Sequence, residues 1–262
     1  MTPRAKKFDL SPTEVAPRAF PLPDGVLLII AILASWQLLH WALGGETLPS
    51  PWRTFAHLGS LISDPDFPGS LAATGQAFLW ALAIATFGGL GLGVSLGARR
   101  LAGEVAEPIL IAFYSIPKIT LYPIILLIFG LGMSAKITFG AIHGIIPVII
   151  ITMNAVRNIR PVFIRSARSM RLSPWQAIAY VLVPATIPEI VSGLRIGFAL
   201  TLLGTLIGEM FASTSGIGFM LIHAMGRVET QTIMALAVLL FAFATMVNFA
   251  MLTFEKWFYH GS

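Results

Sequence analysis

The chain has 262 residues, of which 56% are hydrophobic and 11% are charged, and its mean hydropathy is +0.83. Soluble domains carry about 25% charged residues, so this composition excludes an ordinary soluble domain and predicts a polytopic membrane protein. The net charge of +5 does not indicate nucleic-acid binding, because the basic residues cluster beside apolar segments, and the lack of cysteine excludes disulfides, Cys-bound zinc and thiol catalysis.

Six segments are long and apolar enough to cross a membrane as helices. We expect residues 1–24 to form a tail and residues 25–262 to form one all-α transmembrane domain. The loop after the first span is predicted to contain an amphipathic helix at 52–62. The predicted spans, in chain order, cover residues 25–43, 71–96, 108–131, 136–156, 188–211 and 231–254.

Two spans contain residues that shape helix packing. Gly89, Gly93 and Gly97 lie four residues apart, so they form one ridge of the second span that lets another helix approach closely. A nucleotide-binding glycine loop would need a preceding strand, and none is predicted. Pro117 and Pro123 interrupt the third span, because each proline removes a backbone N–H and kinks a helix.

The basic residues predict the orientation of the spans. Lysine and arginine concentrate in the tail, at Arg99–Arg100 and between residues 157 and 188, whereas the segments on the other side hold only Arg53, Lys136 and Arg227. Because cytoplasmic loops carry the excess of positive charge, both termini are expected to be cytoplasmic.

Residues 157–188, here called the arginine loop, carry five arginines and no acidic residue. The run Ser173–Pro174–Trp175–Gln176 is typical of a helix start, since Ser173 and Gln176 can form a capping box and proline fits the first helical position. We expect this helix to run to Val183 and to stop at Pro184, because a residue before proline is disfavoured in the α conformation.

The arginine loop resembles the cytoplasmic signature of bacterial binding-protein-dependent ABC importer permeases. That pattern is Glu-Ala-Ala, three residues, Gly, nine residues and Ile-x-Leu-Pro. The corresponding positions here are Arg165-Ser166-Ala167, Arg171 and Val181-Leu182-Val183-Pro184. Arginine replaces the glutamate at 165 and the glycine at 171. Since arginine adopts a positive φ only at a cost, we expect the loop to turn differently, or to turn at Leu172–Ser173.

Flanking motifs resemble the nitrate/sulfonate/taurine branch of these permeases, and the resemblance extends from about Leu48 to the last span. They are Ser115-Ile116-Pro117-Lys118, Phe129-Gly130-Leu131-Gly132, Ser173-Pro174-Trp175-Gln176, Gly193-Leu194-Arg195, Gly208-Glu209-Met210 and Ser215-Gly216-Ile217-Gly218.

The resemblance implies a permease subunit in the bacterial inner membrane, assembled as a homodimer of six-span subunits. Two copies of a cytoplasmic ABC ATPase would bind ATP and Mg²⁺, and a periplasmic binding protein would deliver a small anionic solute. This chain itself would bind no cofactor. The residues expected to couple to the ATPase are Arg165, Ser166, Ala167, Arg168, Met170, Arg171, Ser173, Pro174, Trp175 and Gln176. Alternatively, the arginines are positive-inside markers that contact anionic membrane lipid.

The sequence contains no pattern that predicts catalysis by this chain. There is no Gly-Lys dipeptide, and hence no P-loop lysine, so ATP hydrolysis must be supplied by another subunit. The five histidines are scattered without metal-ligand spacing. We therefore expect no catalytic residue and no metal site, and a transport subunit rather than an enzyme.

Ionisable groups inside spans usually face a cavity or a partner. Lys118 and Glu209 are therefore candidates for the solute pathway, together with Tyr122 and Met210, which lie near them in the sequence. Alternatively, Lys118 extends to an interface, and Glu209 pairs with a neighbouring helix or caps the loop that follows residue 211. Gly216 and Gly218 predict a turn on the outer face, where a binding protein could dock.

A transporter or channel driven by an ion gradient is the alternative function. It would predict more buried acidic residues than this chain offers, and full function without an ATPase.

Overall fold

A computed structural model describes residues 24–259, so the predicted tail lies outside the described residues apart from Asp24. The chain divides into two compact units, one that ends at Pro51 and one that begins at Trp52. In the first unit, helix α1 spans Asp24–Leu43, as predicted for the first membrane span. The residues after α1 fold back along it, since Trp36 Nε1 donates to the Pro49 carbonyl at 3.1 Å and His40 Nδ1 lies 2.6 Å from the Leu48 carbonyl oxygen.

The described part of the second unit is built from helices and turns, which confirms the predicted all-α class. The helices are α2 Pro51–Ile62, α3 Phe67–Ala83, α4 Gly89–Gly97, α5 Arg100–Ser115, α6 Tyr122–Phe129, α7 Met133–Arg157, α8 Pro161–Ser169, α9 Pro174–Ala177, α10 Val183–Ala212, α11 Ile217–Gly226 and α12 Thr230–Tyr259. Two π-helical turns, Ile84–Gly88 and Ile178–Leu182, join α3 to α4 and α9 to α10, so each pair forms one continuous helix.

The predicted six spans are confirmed if one broken helix is counted as a span. Five helices are long and apolar enough to cross a membrane: α1, α3–α4, α7, α9–α10 and α12. In the third predicted span, α5 meets the segment Lys118–Phe129 at an angle of 86°. Ile116 and Pro117 adopt extended backbone at this bend, because Pro117 has no N–H with which to continue α5.

Helix α7 lies at the centre of the second unit, where it packs against α10, α4 and α3. Glycines allow the close approach to α4. A Cβ atom on Gly89 would lie 2.6 Å from Val148, one on Gly93 would lie 2.6 Å from Thr152, and one on Gly97 would lie 2.6 Å from the Met153 carbonyl oxygen. The glycine ridge of α4 therefore packs directly against α7, as small residues do between membrane helices.

Gly97→Ala should destabilise the protein, because the added methyl group forces α4 away from the backbone of α7. The expected loss is about 1–3 kcal/mol, typical of overpacking. The matched control is Gly91→Ala in the same helix, since a Cβ at Gly91 meets no atom within 4 Å. Thermal unfolding of the detergent-purified protein measures both, and equal melting temperatures for the two variants would contradict this account of the α4–α7 contact.

Candidate functional site

The arginine loop consists of α8, a turn and the start of the α9–α10 helix. Within α8 only Ala167 is buried, and its other residues are exposed. Arg165 and Arg168 lie three residues apart on this helix, and their guanidinium groups make no hydrogen bond or ion pair with the described residues. Arg157 differs, because its guanidinium donates to Glu107 at 2.7 Å and to Asn154 at 3.0 Å. The loop therefore presents a strip of free cations, whereas Arg157 fastens the end of α7 to α5.

The predicted capping box at the start of α9 is confirmed. The Ser173 N–H donates to Gln176 Oε1 at 2.9 Å, and the Gln176 N–H donates to Ser173 Oγ at 3.3 Å. Both hydrogen bonds satisfy backbone donors that a helix start leaves free. The capped turn presents Trp175, whose side chain is 75% exposed.

The prediction that this helix stops at Pro184 is wrong. Val183 has helical dihedral angles of −61° and −53°, and the helix continues through α10 to Ala212. In a regular α-helix the proline ring would clash with the preceding turn. Here the preceding turn is widened into a π-helix, in which the Val183 N–H bonds to the Ile178 carbonyl. Of the coupling candidates, Pro174, Trp175 and Gln176 are thus on the same continuous helix as the fifth predicted span, and this helix begins before Pro188.

The expectation that the loop turns elsewhere than at Arg171 is also wrong. Arg171 itself adopts the left-handed conformation, with φ of 53°. The Arg171 N–H bonds to the Arg168 carbonyl at 3.0 Å, and the Leu172 N–H bonds to the Ala167 carbonyl at 3.1 Å. These two bonds form a Schellman motif, which places a left-handed residue directly after the helix. The hydrogen bonds at the end of α8 therefore impose the glycine-like geometry on an arginine.

A cavity of about 910 Å³ lies between the arginine loop and the ends of α4 and α5. Ile164, Ile178 and Leu182 line it from the loop, and Leu90 and Val94 line it from α4. The loop consequently has no close packing against α4 on this side. Its position depends on the helices from which it continues, α7 and α10.

The two pathway candidates near the bend of the third span have different surroundings. Lys118 donates from Nζ to the Tyr114 carbonyl at 3.2 Å, its Nζ lies 4.8 Å from the Tyr114 ring centroid, and it has no carboxylate partner among the described residues. The Tyr122 hydroxyl donates to the Phe211 carbonyl, which joins α6 to the end of α10. Met210 is half-buried. Lys118 is therefore a half-buried cation whose charge no acidic side chain in the described residues offsets.

Glu209 lies in a closed cluster of polar groups and is fully buried. Its carboxylate accepts from the Thr74 hydroxyl at 2.8 and 2.9 Å and from the Gly218 N–H at 2.9 Å, and it lies 3.5 Å from Lys136 Nζ. Lys136, also buried, donates to the Ser215 carbonyl at 2.8 Å. Glu209 thus pairs with a neighbouring helix and also caps α11, whose positive end favours an anion.

The connection between α10 and α11, residues 213–216, is called here the 213–216 turn. Gly216 has a φ of +116°, and a Cβ atom there would collide with the Glu209 carboxylate, so only glycine fits. The sequence predicted a turn at Gly216, but not that helix α11 follows it. The apolar run from Ile217 to Gly226 was the available signal, although it is too short to read as a span.

Sequence reasoning missed Thr74 and Lys136 as members of this cluster. The sequence places Lys136 at the start of the fourth predicted span and among the basic residues of the outer segments, and Thr74 carries no motif. Nothing in their spacing indicates that both meet Glu209, because the three residues come from different helices. Among the described residues no group of three or more His, Asp or Glu side chains could hold a metal ion.

Comparison with known proteins finds a family, related sequences and a solved structure that are similar to this chain. Residues 89–260 match the model of the family described as binding-protein-dependent transport system inner membrane component. The taurine transport system permease protein TauC of Escherichia coli is 27% identical over 82% of this chain and 82% of its own length. The nitrate import permease protein NrtB of Leptolyngbya laminosa is 31% identical over 76% of this chain and 73% of its own length. A chain of the MetNI methionine ABC transporter has a similar fold, with a TM-score of 0.56 and 22% identity over 71% of this chain and 91% of that one.

Arg171→Gly should stabilise the arginine loop, because glycine adopts the left-handed conformation without the cost of about 1–2 kcal/mol that a side chain brings. Amide hydrogen exchange of residues 161–173 should slow. Arg165→Gly, within α8, is the matched control and should speed exchange, since glycine weakens a helix interior. Faster exchange in the Arg171→Gly protein would show that the turn does not have the geometry described here.

Proposed function

The chain belongs to the family of binding-protein-dependent transport system inner membrane components and is the permease subunit of an ABC importer, and we propose that its ATPase docks on the arginine loop. The observation that carries this proposal is the capped helix start at Ser173, which continues without a break into α10. A partner bound to α9 would move the 38-residue helix Trp175–Ala212 as one rigid body. The cations of α8 lie beside it.

The docking surface that we propose combines an aromatic side chain with free positive charge. Trp175 is largely exposed, and Arg165 and Arg168 have no partner among the described residues. Exposed tryptophan and arginine are the residues that most often dominate protein interfaces. An acidic cleft on the ATPase would complement them. Ser166, Ala167, Met170, Arg171, Pro174 and Gln176 would complete the contact or hold its shape.

We further propose the assembly that the family relationship supports. Two copies of this chain would form the membrane part, with two ATPase subunits that bind ATP and Mg²⁺ on the cytoplasmic side. Both termini would face the cytoplasm, residues 1–24 as a tail, and a periplasmic binding protein would dock on the opposite face. Arginines outside the ATPase contact, such as Arg160, would interact with anionic lipid headgroups.

A small anionic solute is the cargo that we propose. The relatives TauC and NrtB are named for taurine and nitrate. Taurine carries an anionic sulfonate group, and nitrate is itself an oxyanion. Lys118 supports this choice, because a half-buried ammonium group without an acidic partner in the described residues would attract an anion at the bend of the third span. Tyr122 and Met210 lie on the adjoining helices and would line the same route.

The test is reconstitution of the chain in proteoliposomes with its cognate ATPase and binding protein. ATP-dependent uptake of a sulfonate or nitrate, with ATP hydrolysis stimulated by the loaded binding protein, is the expected result. The control omits the ATPase and applies a proton or sodium gradient. Uptake by the chain alone under that gradient would instead support a secondary transporter or channel.

Charge reversal in α8 should uncouple hydrolysis from transport. Arg165→Glu combined with Arg168→Glu would repel an acidic ATPase surface, so ATP-driven uptake should fall at least about tenfold. The matched control is Arg99→Glu, which reverses an exposed arginine outside the loop and should leave uptake nearly unchanged. Normal uptake with both arginines reversed would limit them to contacts with lipid.

A further inference from the structure

The Lys136–Glu209 pair is unusual because both charges are withdrawn from solvent, with 2% and 0% of their side chains exposed. Burial of an ion costs free energy unless other groups replace its hydration. Here Thr74 and the Gly218 N–H bind Glu209, and Ser215 accepts from Lys136. The pair therefore joins α7 to α10 and at the same time holds the backbone on both sides of Gly216.

Thr74 connects a third helix to this cluster. Its hydroxyl donates to Glu209 and accepts from the Ile217 N–H at 2.8 Å, so α3 is tied to the first residue of α11. The two N–H groups at the start of α11 are thus bound by Thr74 and Glu209. The start of α11 is thus fixed to α3 and α10 by buried hydrogen bonds, and the 213–216 turn is bound to α7 through the Ser215 carbonyl.

Below this cluster, α7 and α10 are in contact along a seam of glycines. Each glycine of the seam faces a side chain or backbone of the other helix so closely that a Cβ atom would not fit without movement. The facing pairs are Gly208 with Lys136, Gly140 with Thr205, Gly204 with His143, Gly144 with Thr201, Gly197 with Val148 and Gly193 with Ile151. Interlocked in this way, the two helices are expected to shift together rather than slide past each other.

The other ends of the same helices enter the arginine loop. Helix α7 ends at Arg157 and is separated from α8 by residues 158–160, and α10 continues from the capped helix at Pro174 through the π-helical turn. A cavity of about 910 Å³ leaves the loop without close packing against α4. Displacement of the 213–216 turn would therefore reach the loop through α7 and α10.

We propose that Thr74, Lys136 and Glu209 are positioning residues that lock the 213–216 turn to the α7–α10 pair, so that a binding protein docked at this turn acts on the arginine loop. This inference rests on the proposed function. It assigns Glu209 a role in transmission rather than in solute contact, which agrees with its complete burial.

The first test compares Thr74→Val with Thr74→Ser in the reconstituted complex. Valine keeps the shape of threonine but loses the hydroxyl, whereas serine keeps the hydroxyl. Stimulation of ATP hydrolysis by the loaded binding protein should fall about fivefold or more with valine and return with serine, while hydrolysis without binding protein stays the same. A purely structural role would instead lower the amount of assembled complex and both activities together.

Equal stimulation of the valine and serine variants would overturn the inference, while a native complex without any stimulation would overturn the proposed function. A second variant, Lys136→Met with Glu209→Gln, removes both charges and leaves no unpaired ion. It should assemble and show the same loss of stimulation, and native stimulation in this variant would likewise overturn the inference.

If these variants do not assemble, a distance measurement in the otherwise native chain tests whether α7 and α10 move as one body. The sequence has no cysteine, so Thr214→Cys and Tyr180→Cys, both at exposed positions, can carry spin labels in a chain diluted with unlabelled copies. The distance from the 213–216 turn to the loop should be the same in nucleotide-free and ATP-trapped complexes. A change in that distance between the two states would show that α7 and α10 do not transmit motion as one body.

Discussion

Close approach of helix backbones around α7 is the constraint on which the second unit depends. Lipid tails are as apolar as leucine, so burial of apolar surface contributes little to contact between membrane helices, and dense van der Waals packing has to replace it. Glycines of α4 meet α7 on one side, and glycines of α10 and α7 meet on another. Because each contact leaves no room for a methyl group, α7 has one register against both neighbours, and that register places Lys136 beside Glu209.

The buried Lys136–Glu209 ion pair follows from this packing, and it also provides polar partners for the turn at the end of the two helices. Apolar contact between α7 and α10 could hold two helices together, but it could not fix a polar turn at their end. Gly218 is buried, so its N–H needs a partner, which Glu209 provides, and Lys136 binds the carbonyl of the exposed residue Ser215. The cost of withdrawing both charges from water is offset only in this closed arrangement. A rigid turn is the structural result.

The sequence predicts much of the fold because the signals are local. Apolar segments of membrane length give the spans, prolines give the break at Pro117, and Ser173 with Gln176 gives the capping box. Prediction from the sequence is wrong about the backbone at Pro184 and Arg171, where hydrogen bonds of the surrounding turns override the conformational preference of a single residue. The contacts of Thr74 and Lys136 with Glu209 are not predicted either, since no local pattern indicates which residues of separate helices meet. Local preferences are readable in one chain segment, whereas the polar cluster exists only after α3, α7 and α10 pack.

Arg171 shows that the backbone at this position can be left-handed without the glycine that adopts this conformation most readily. The Schellman hydrogen bonds at the end of α8 require a left-handed residue, whether or not glycine occupies the position. Arginine there costs about 1–2 kcal/mol, while an exposed ion pair contributes about 0.2–1 kcal/mol. One exposed ion pair made by Arg171 is therefore of the same order as this cost or smaller, and contacts of Arg165 or Arg168 do not offset it, because they would remain with glycine at position 171.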